Sequence, residues 1–293
     1  MLFNRSRISC AAKCSSNDKC LKFLHCEDLG TCFLLSSSHE CMSTSNVISC
    51  VCRVKKIHKV NGQDCSCYPG FYGECCENIA KDCLDAKDNG ANDKKGQLVF
   101  VQPRQSPTSF EVFCLGVNIV FMNRKVVDCR SRFNTSWSSF KQGFGNFNNG
   151  YWLGLEKIHL LTTAPGKIYK LNEVIMMKNR ESFCLYYYSN FSLDNEANNY
   201  TFRVGNLLSD NSNVDCTDAI KTDELTAQNR PFSTFDHSAS QYDCPKRMQS
   251  SWWFADHPNC TAANLNGPIE STTSPEISWQ PNYLIVQFAL YEP

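Results

Sequence analysis

The chain has 293 residues, with 29 basic and 29 acidic side chains and therefore no formal net charge. Such a length suffices for one large domain accompanied by small modules. A balanced charge without a long basic run argues against nucleic acid or an anionic membrane surface as a partner. The longest apolar stretches, such as residues 283–291, are too short for a bilayer-spanning helix. We therefore expect no membrane span.

The cysteines are concentrated near the start of the chain, where residues 1–83 hold 13 of the 19. A segment this rich in cysteine builds little apolar core, so we predict disulfide-stapled modules made in an oxidising compartment. Zinc is the alternative, but the cysteines do not form two CxxC pairs and the nearby histidines lack ligand spacing. The odd total leaves one thiol free or paired with a second chain, which would provide a route to an oligomer.

Asparagine glycosylation motifs point to the same compartment. Four of them are candidate modification sites: Asn4, Asn134, Asn190 and Asn199. A fifth, Asn259, precedes Cys260, and burial beside a bridged cysteine would prevent its modification. Residues 1–10 contain no apolar signal core, so the secreted interpretation expects a leader outside this sequence. We predict a secreted, extracellular protein.

Residues 1–52 have the pattern of a small disulfide-linked module. Cys10 and Cys14 lie one helical turn apart, and short strands are expected through Phe23 and Phe33. The cysteine spacing of this segment resembles the PAN/apple family, in which disulfides clamp a helix to a small sheet. The resemblance implies a PAN/apple-like module over residues 1–52.

Residues 53–81 contain Cys65-x-Cys67, then Pro-Gly-Phe-Tyr-Gly, then Cys76. The glycines permit a tight turn and the aromatic side chains cover a very small core. This order resembles the second half of an EGF-like module, which implies that these three cysteines are in disulfides. No acidic calcium-binding pattern precedes it, and we expect a spacer.

From residue 82 onward the composition changes to an ordinary core-forming mixture rich in aromatic residues. Candidate strands are residues 97–101, 110–122 and 283–291, with turn-rich segments between them. Residues 133–162 contain a dense set of aromatic and aliphatic side chains that we interpret as scaffold.

Three motifs follow one another along this region. Asp82-Cys83 is followed by Ser109-Phe-Glu-Val-Phe-Cys114, then by residues 133–162, and then by residues 232–267. The last segment combines Phe-Ser-Thr-Phe-Asp, a cysteine pair that spans Trp-Trp, and Asn-Leu-Asn-Gly. Together the motifs resemble fibrinogen C-terminal (fibrinogen-related) domains, which are extracellular recognition modules. The resemblance implies an α+β domain over residues 82–293, with the bridges Cys83–Cys114 and Cys244–Cys260.

The resembling domains hold a calcium ion beside the ligand pocket, with acidic residues that follow the Phe-Ser-Thr-aromatic motif. Calcium takes about six to eight oxygen ligands, several of them carboxylates. Asp236 and Asp243 are the carboxylates that remain here, and Ser238 and Ser240 stand where further aspartates are expected. We therefore favour an ordinary turn over a reduced calcium site at Asp236 and Asp243.

The resemblance also implies a pocket for acetyl groups, sugars or peptide ends beside the second disulfide. The positions that would line it are Arg247, Met248, Trp253, Phe254, Asn259, Cys260, Thr261 and Tyr283. A histidine usually follows the second cysteine, whereas Thr261 stands there. His257, in a longer segment before Cys260, is either its replacement or a solvated loop residue.

Motifs of catalysis are missing from the sequence, which has no Gly-x-Ser-x-Gly elbow, His-Glu-x-x-His pair or phosphate-binding glycine loop. We therefore predict that the protein is not an enzyme. The favoured function is lectin-like or pattern binding of a glycan or acetylated ligand, in innate immunity. The alternative is a matrix, adhesion or signalling module that binds an extracellular protein. A third hypothesis is a structural role with a pocket that has lost its ligand.

Overall fold

The computed structural model describes residues 67–73, 78–91, 96–125, 133–148, 150–177, 181–214, 220, 224–262, 264–267 and 283–291, with the backbone of six short strands before residue 67. Residues 125, 177 and 283–286 are described by their backbone only. The chain divides into two compact units, residues 1–111 and 112–293.

Before residue 67 the described backbone consists of strands. Four of them form an antiparallel sheet in the order β1-β3-β2-β4: Leu2–Asn4 (β1), Lys22–Cys26 (β2), Thr31–Leu35 (β3) and Cys50–Val54 (β4). A small pair follows, Lys59–Val60 (β5) and Gln63–Asp64 (β6). Strands β2 and β3 pass through Phe23 and Phe33, where strands are expected. The expected helix around Cys10 and Cys14 lies outside the described residues, so the PAN/apple assignment stays a prediction.

The Pro-Gly-Phe-Tyr-Gly segment forms a turn and a short strand, Phe71–Tyr72 (β7), paired with Asn78–Ile79 (β8). Cys67 is in a disulfide, as expected. Cys65 and Cys76 lie outside the described residues, and the EGF-like assignment stays a prediction.

This segment packs directly on Gln97–Val101 (β9) within the first unit. The rings of Tyr68 and Phe71 lie 5.1 and 5.7 Å from that of Phe100, and the Phe100 amide donates to the Pro69 carbonyl at 2.9 Å. Gly70 has a φ of +99°, and a Cβ there would stand 1.9 Å from the Phe100 carbonyl oxygen. Only glycine allows the two backbones to approach so closely. Residues 67–73 and β9 therefore form one packed layer.

The helix Cys83–Asp88 (α1) begins at Asp82, whose carboxylate accepts a hydrogen bond from the Asp85 amide at 2.8 Å. An aspartate in this position satisfies one of the unpaired amides of the first helical turn. Cys83 and Ala86 are the residues that α1 buries.

The second unit is mostly sheet. Its strands are Asn118–Lys125 (β11), Phe144–Gly145 (β12), Tyr151–Trp152 (β13), Tyr169–Met177 (β14), Phe183–Leu193 (β15), Phe202–Arg203 (β16), Leu207–Asp210 (β17) and Tyr283–Tyr291 (β18), and Phe110–Leu115 (β10) begins just before it. They are antiparallel, in the order β12-β13-β11-β18-β14-β15-β16, with β10 on β11 and β17 on β15. The last strand of the chain, β18, thus lies between β11 and β14.

The second unit also contains short helices: Trp137–Gln142 (α2), Leu155–Thr162 (α3) and Cys244–Arg247 (α4), with a 3₁₀ turn at Glu196–Asn198. Helix α3 buries Leu155, Ile158 and Leu161, which lie on one face at helical spacing. The Thr162 hydroxyl accepts a hydrogen bond from the Leu193 amide at 3.2 Å, which joins α3 to β15. Over the described residues, the helices are too short and too polar for any of them to cross a membrane.

Candidate ligand-binding face

A buried aromatic cluster supports the segment that carries the predicted site. Phe232, Trp252 and Trp253 are each at most 1% exposed. The ring of Trp253 lies 4.9 Å from Phe232 and 5.2 Å from Trp252, and its indole nitrogen donates to the Tyr200 carbonyl at 2.9 Å. Burying such rings stabilises a fold by about 1.5–3 kcal/mol each. The Phe-Ser-Thr and Trp-Trp motifs are therefore scaffold.

The predicted Cys244–Cys260 disulfide is confirmed, with Cα atoms 5.6 Å apart. It joins the start of α4 to the loop that follows Phe254 and closes a chain segment of 16 residues. In the chain-entropy description, cross-linking a loop of this length raises the free energy of unfolding by about 3 kcal/mol. Asp243, with a φ of +49°, and Pro245 begin the short helix that carries Arg247.

The predicted pocket residues divide into a buried group and an exposed group. Met248, Trp253, Phe254, Cys260 and Thr261 are at most 6% exposed. The floor of the predicted pocket is therefore enclosed within the domain's own packing.

Arg247 and Asn259 are the exposed members of the predicted set. The guanidinium of Arg247 lies beside the disulfide, 3.8 Å from the sulfur of Cys260 and 3.5 Å from the Tyr242 carbonyl. Tyr283 is the first residue of β18, and its side chain lies outside the described residues. We call the exposed surface around Arg247, His257 and Asn259 the disulfide face.

His257 turns back on its own loop. Its Nδ1 atom accepts a hydrogen bond from the Asn259 amide at 3.1 Å, and its carbonyl accepts from the Cys260 amide at 2.9 Å. These bonds shape the turn that presents Asn259 at the surface.

Asp236, the first predicted calcium ligand, is engaged with protein groups. Its Oδ1 atom accepts from the Trp137 amide at 2.9 Å and from the Thr234 hydroxyl at 2.7 Å. The Trp137 amide is one of the unpaired donors at the start of α2. Partial burial alone would raise the pKa of Asp236, but the hydrogen bonds from Thr234 and Trp137 outweigh it and lower that pKa.

Asp243, the second predicted ligand, faces its own helix. Its Oδ2 atom lies 3.2 Å from the ammonium of Lys246. Between the two aspartates, the Ser238 hydroxyl donates to the Ser240 carbonyl at 3.2 Å. Across the described part of the chain, no three His, Cys, Asp or Glu side chains come together as a metal site. The donor set therefore does not fit a calcium ion at these positions.

Asp256, which no sequence motif marks, joins the segment before Cys260 to Ser240 and Gln241. Its Oδ1 atom accepts from the Gln241 amide at 3.1 Å and from the Ser240 hydroxyl at 3.3 Å, and its Oδ2 atom accepts from the Gln241 side chain at 3.3 Å. The sequence contains one indication for this region, the extra length of the segment between Trp253 and Cys260. That indication led to His257 and not to Asp256.

A second cluster that the sequence did not reveal lies around His237. Its ring stacks on Trp137 with centroids 4.0 Å apart, and its Nε2 atom lies 2.8 Å from the side-chain oxygen of Asn199. The Trp137 indole donates to Glu196 at 3.1 Å. Hydrogen bonds from Lys141 and then from Trp137 lower the pKa of Glu196 below its ordinary value.

The remaining predicted sites are distributed over the fold. Asn134 and Asn190 are exposed, and Asn199 is half-buried; of Asn4 only the backbone, in β1, is described. Asn259 is also exposed, so the expected burial of this residue beside the disulfide was wrong. Cys83 and Cys114 are both in disulfides, and their pairing with each other stays a prediction. Cys184 is also in a disulfide.

Residues 79–283 match the family described as fibrinogen beta and gamma chains, C-terminal globular domain. Because the match covers more than half of the chain, the protein belongs to this family. Its members are in general non-enzymatic proteins that bind extracellular proteins or ligands, and most fibrinogen-like relatives are secreted.

Individual relatives agree with this assignment. The chain is 32% identical over 214 residues to fibrinogen-like protein 1 of Bos taurus, which covers 68% of this chain and 65% of the relative. It is 30% identical over 202 residues to ryncolin-4 of Cerberus rynchops, covering 66% of this chain and 53% of the relative. The chain thus spans less than two thirds of the length of these relatives.

Solved structures show the same fold. The fibrinogen-like globe domain of human ANGPTL2 superposes with a TM-score of 0.60 at 24% identity, over 72% of this chain and 98% of that domain. The lamprey fibrin D-dimer, complexed with the peptide Gly-His-Arg-Pro-amide, gives a TM-score of 0.61 at 25% identity, over 73% of each chain.

Proposed function

We propose that this chain is a secreted recognition protein, lectin-like or pattern binding, whose fibrinogen-related domain binds a ligand at the disulfide face. The observation that carries the proposal is the arrangement at the Cys244–Cys260 bridge. There, a buried aromatic scaffold presents Arg247 and Asn259 at the surface beside a covalent cross-link.

The chemistry of this face favours ligands with oxygen acceptors. Arg247 carries a fork of N–H donors that suits a carbonyl or carboxylate, and the Asn259 amide supplies both a donor and an acceptor. The acetyl group of an acetylated glycan has such an acceptor carbonyl. An acetylated glycan is therefore the first ligand to test, and pattern recognition in innate immunity is the proposed setting.

A second candidate function is the binding of an extracellular protein without glycan recognition. It is favoured by the burial of Met248, Trp253 and Phe254, which leaves no exposed apolar floor among these described residues for a sugar ring to cover. The lamprey relative was solved with a peptide ligand, which supports a peptide as the recognised group.

An array of glycans and acetylated ligands, probed with the full chain, tests the first function. We expect binding to acetylated ligands that falls at least tenfold in Arg247→Ala, the loss expected for a charge-assisted hydrogen bond worth about 1.5 kcal/mol. Arg104→Ala, which removes an exposed arginine of the first unit, is the matched control. No binding on the array, together with capture of one specific extracellular protein that depends on Arg247, would establish the second function instead.

A further inference from the structure

The loop of residues 236–243 borders the disulfide face, and protein groups hold it at both ends and in the middle. At one end, Asp236 accepts hydrogen bonds from Trp137 and Thr234. At the other end, Asp243 lies 3.2 Å from Lys246. In the middle, the Asp256 carboxylate reaches across from the segment before Cys260 and accepts three hydrogen bonds.

The three bonds to Asp256 bridge parts of the chain about fifteen residues apart. Its carboxylate engages a hydroxyl at Ser240 and both the backbone and the side chain of Gln241. A carboxylate that accepts several N–H and O–H groups stabilises a loop more than neutral acceptors do. The hydroxyl of Ser240 in turn accepts from the Tyr242 amide at 3.1 Å, which extends the network along the loop.

His237 provides further contacts that fix the same loop. Its ring lies on Trp137 of α2, and its Nε2 atom is bonded to Asn199, which follows the 3₁₀ turn. Two separate elements outside the loop therefore determine where it lies.

The oxygen atoms of the loop are poorly placed for a cation. A calcium ion would compete with the Lys246 ammonium for Asp243 and with two protein donors for Oδ1 of Asp236. The hydroxyl of Ser238 donates to the Ser240 carbonyl, so these two oxygens are already hydrogen-bonded to each other. Calcium requires about six to eight such oxygens at once.

We propose that Asp256 and His237 hold the 236–243 loop in its binding geometry in place of a cation, so that recognition at the disulfide face is independent of calcium. The inference about the loop stands on its own contacts. Its consequence for recognition rests on the proposed function.

Hydrogen exchange of the full chain tests the loop directly. In the unmodified protein, the amides of Gln241 and Tyr242 should exchange at the same rate with EDTA and with millimolar calcium. In Asp256→Ala, the Gln241 amide loses its acceptor, and its exchange should rise about tenfold, again without a calcium effect. Asp210→Ala is the matched control, because it removes a carboxylate that accepts from the Ser212 amide in another loop. That control should accelerate exchange only near Ser212.

Two outcomes would overturn the inference. One is calcium-dependent protection of residues 236–243 or a calcium-dependent rise of several degrees in the melting temperature of the unmodified protein. The other is unchanged Gln241 exchange in Asp256→Ala. If that variant does not fold, Asp256→Asn keeps one acceptor oxygen without the charge and should show a smaller rise. Absence of any ligand, with the exchange results as expected, would reject the proposed function and leave the loop inference intact.

Discussion

The imidazole of His237 lies on the indole of Trp137, with ring centroids 4.0 Å apart and an angle of 30° between the planes. The two residues lie 100 positions apart in the chain. The same tryptophan donates its backbone amide to Asp236 and its ring nitrogen to Glu196. Trp137 is therefore the residue that connects α2, the 3₁₀ turn and the loop beside the disulfide face.

Replacing His237 with alanine should loosen this connection without unfolding the protein. The variant loses the stacked ring and the bond to Asn199, and we expect the free energy of unfolding to fall by about 1 kcal/mol. Urea denaturation followed by near-ultraviolet circular dichroism measures the loss and reports the environment of Trp137. His257→Ala is the control, because the ring of His257 bonds only within its own turn in the described part of the chain. Equal effects of the two substitutions would show that the stack contributes nothing.

The lowered pKa of Asp236 predicts a pH dependence. Its carboxylate is stabilised in the folded protein, so its contribution is fully present above its unfolded pKa of about 3.9 and is lost as pH falls through the lower folded pKa. At neutral pH, Asp236→Asn should lower the free energy of unfolding by about 0.5–1 kcal/mol, a modest value because the group is exposed to solvent. Below about pH 4 the difference from the unmodified protein should shrink.

Urea titrations at several pH values provide this measurement. Asp88→Asn is the matched control, because it removes the same charge from an exposed carboxylate that has no hydrogen bond among the described residues. A difference for Asp236→Asn that stays constant from neutral to acidic pH would contradict the assignment of the shift to the ionised carboxylate.

Gly70 provides a test of how tightly residues 67–73 pack on β9. In Gly70→Ala the new Cβ meets the Phe100 carbonyl oxygen at 1.9 Å in a left-handed backbone, and we expect a loss of about 2–4 kcal/mol. Gly90→Ala has a similar φ of +95° with nothing within 4 Å, so it should cost only about 1 kcal/mol. Hydrogen exchange at the Phe100 amide, which donates to Pro69, reports the packing directly. If the two variants exchange alike, residues 67–73 are a loosely attached spacer.

Local patterns predicted much of the scaffold. The expected strands at residues 97–101 and 283–291 have the bounds found in the structure, because apolar runs between turn residues are a strong strand signal. The prediction of one strand over residues 110–122 was wrong, because this segment forms a hairpin of β10 and β11. Gly116, with a φ of +60°, lies in the turn, and Leu115 pairs with Asn118. A glycine inside an apolar run can be read as part of one strand or as a turn, and local sequence does not decide between them.

The site was harder to predict because its contacts join distant segments. The motif around Trp253 indicated a pocket floor, but burial depends on Phe202, Phe232 and Trp252, whose rings surround it. Asp256 has no distinguishing neighbours in sequence, and its role is visible only where it meets Gln241. The family motif therefore predicted a candidate face, while tertiary contacts determine which of its side chains are exposed.

Arg124 gives the last prediction. It is 1% exposed in β11, its two terminal nitrogens donate to the carbonyls of Leu265 and Gly267, and its guanidinium lies 5.1 Å from the ring of Phe133. Arg124→Met would leave two buried carbonyls without these donors, and we expect the free energy of unfolding to fall by about 2–4 kcal/mol.

Arg124→Lys should recover only part of this loss, because a single ammonium cannot donate to both carbonyls with the geometry of a guanidinium fork. Arg104→Met, which removes an exposed arginine, is the control and should change stability by less than about 0.5 kcal/mol. Urea denaturation measures all three variants. Full recovery by lysine would mean that the positive charge matters and the two-carbonyl geometry does not. A neutral effect of methionine would mean that the segment around Leu265 is held by its other contacts, such as the bond from Ser250 to Asn264.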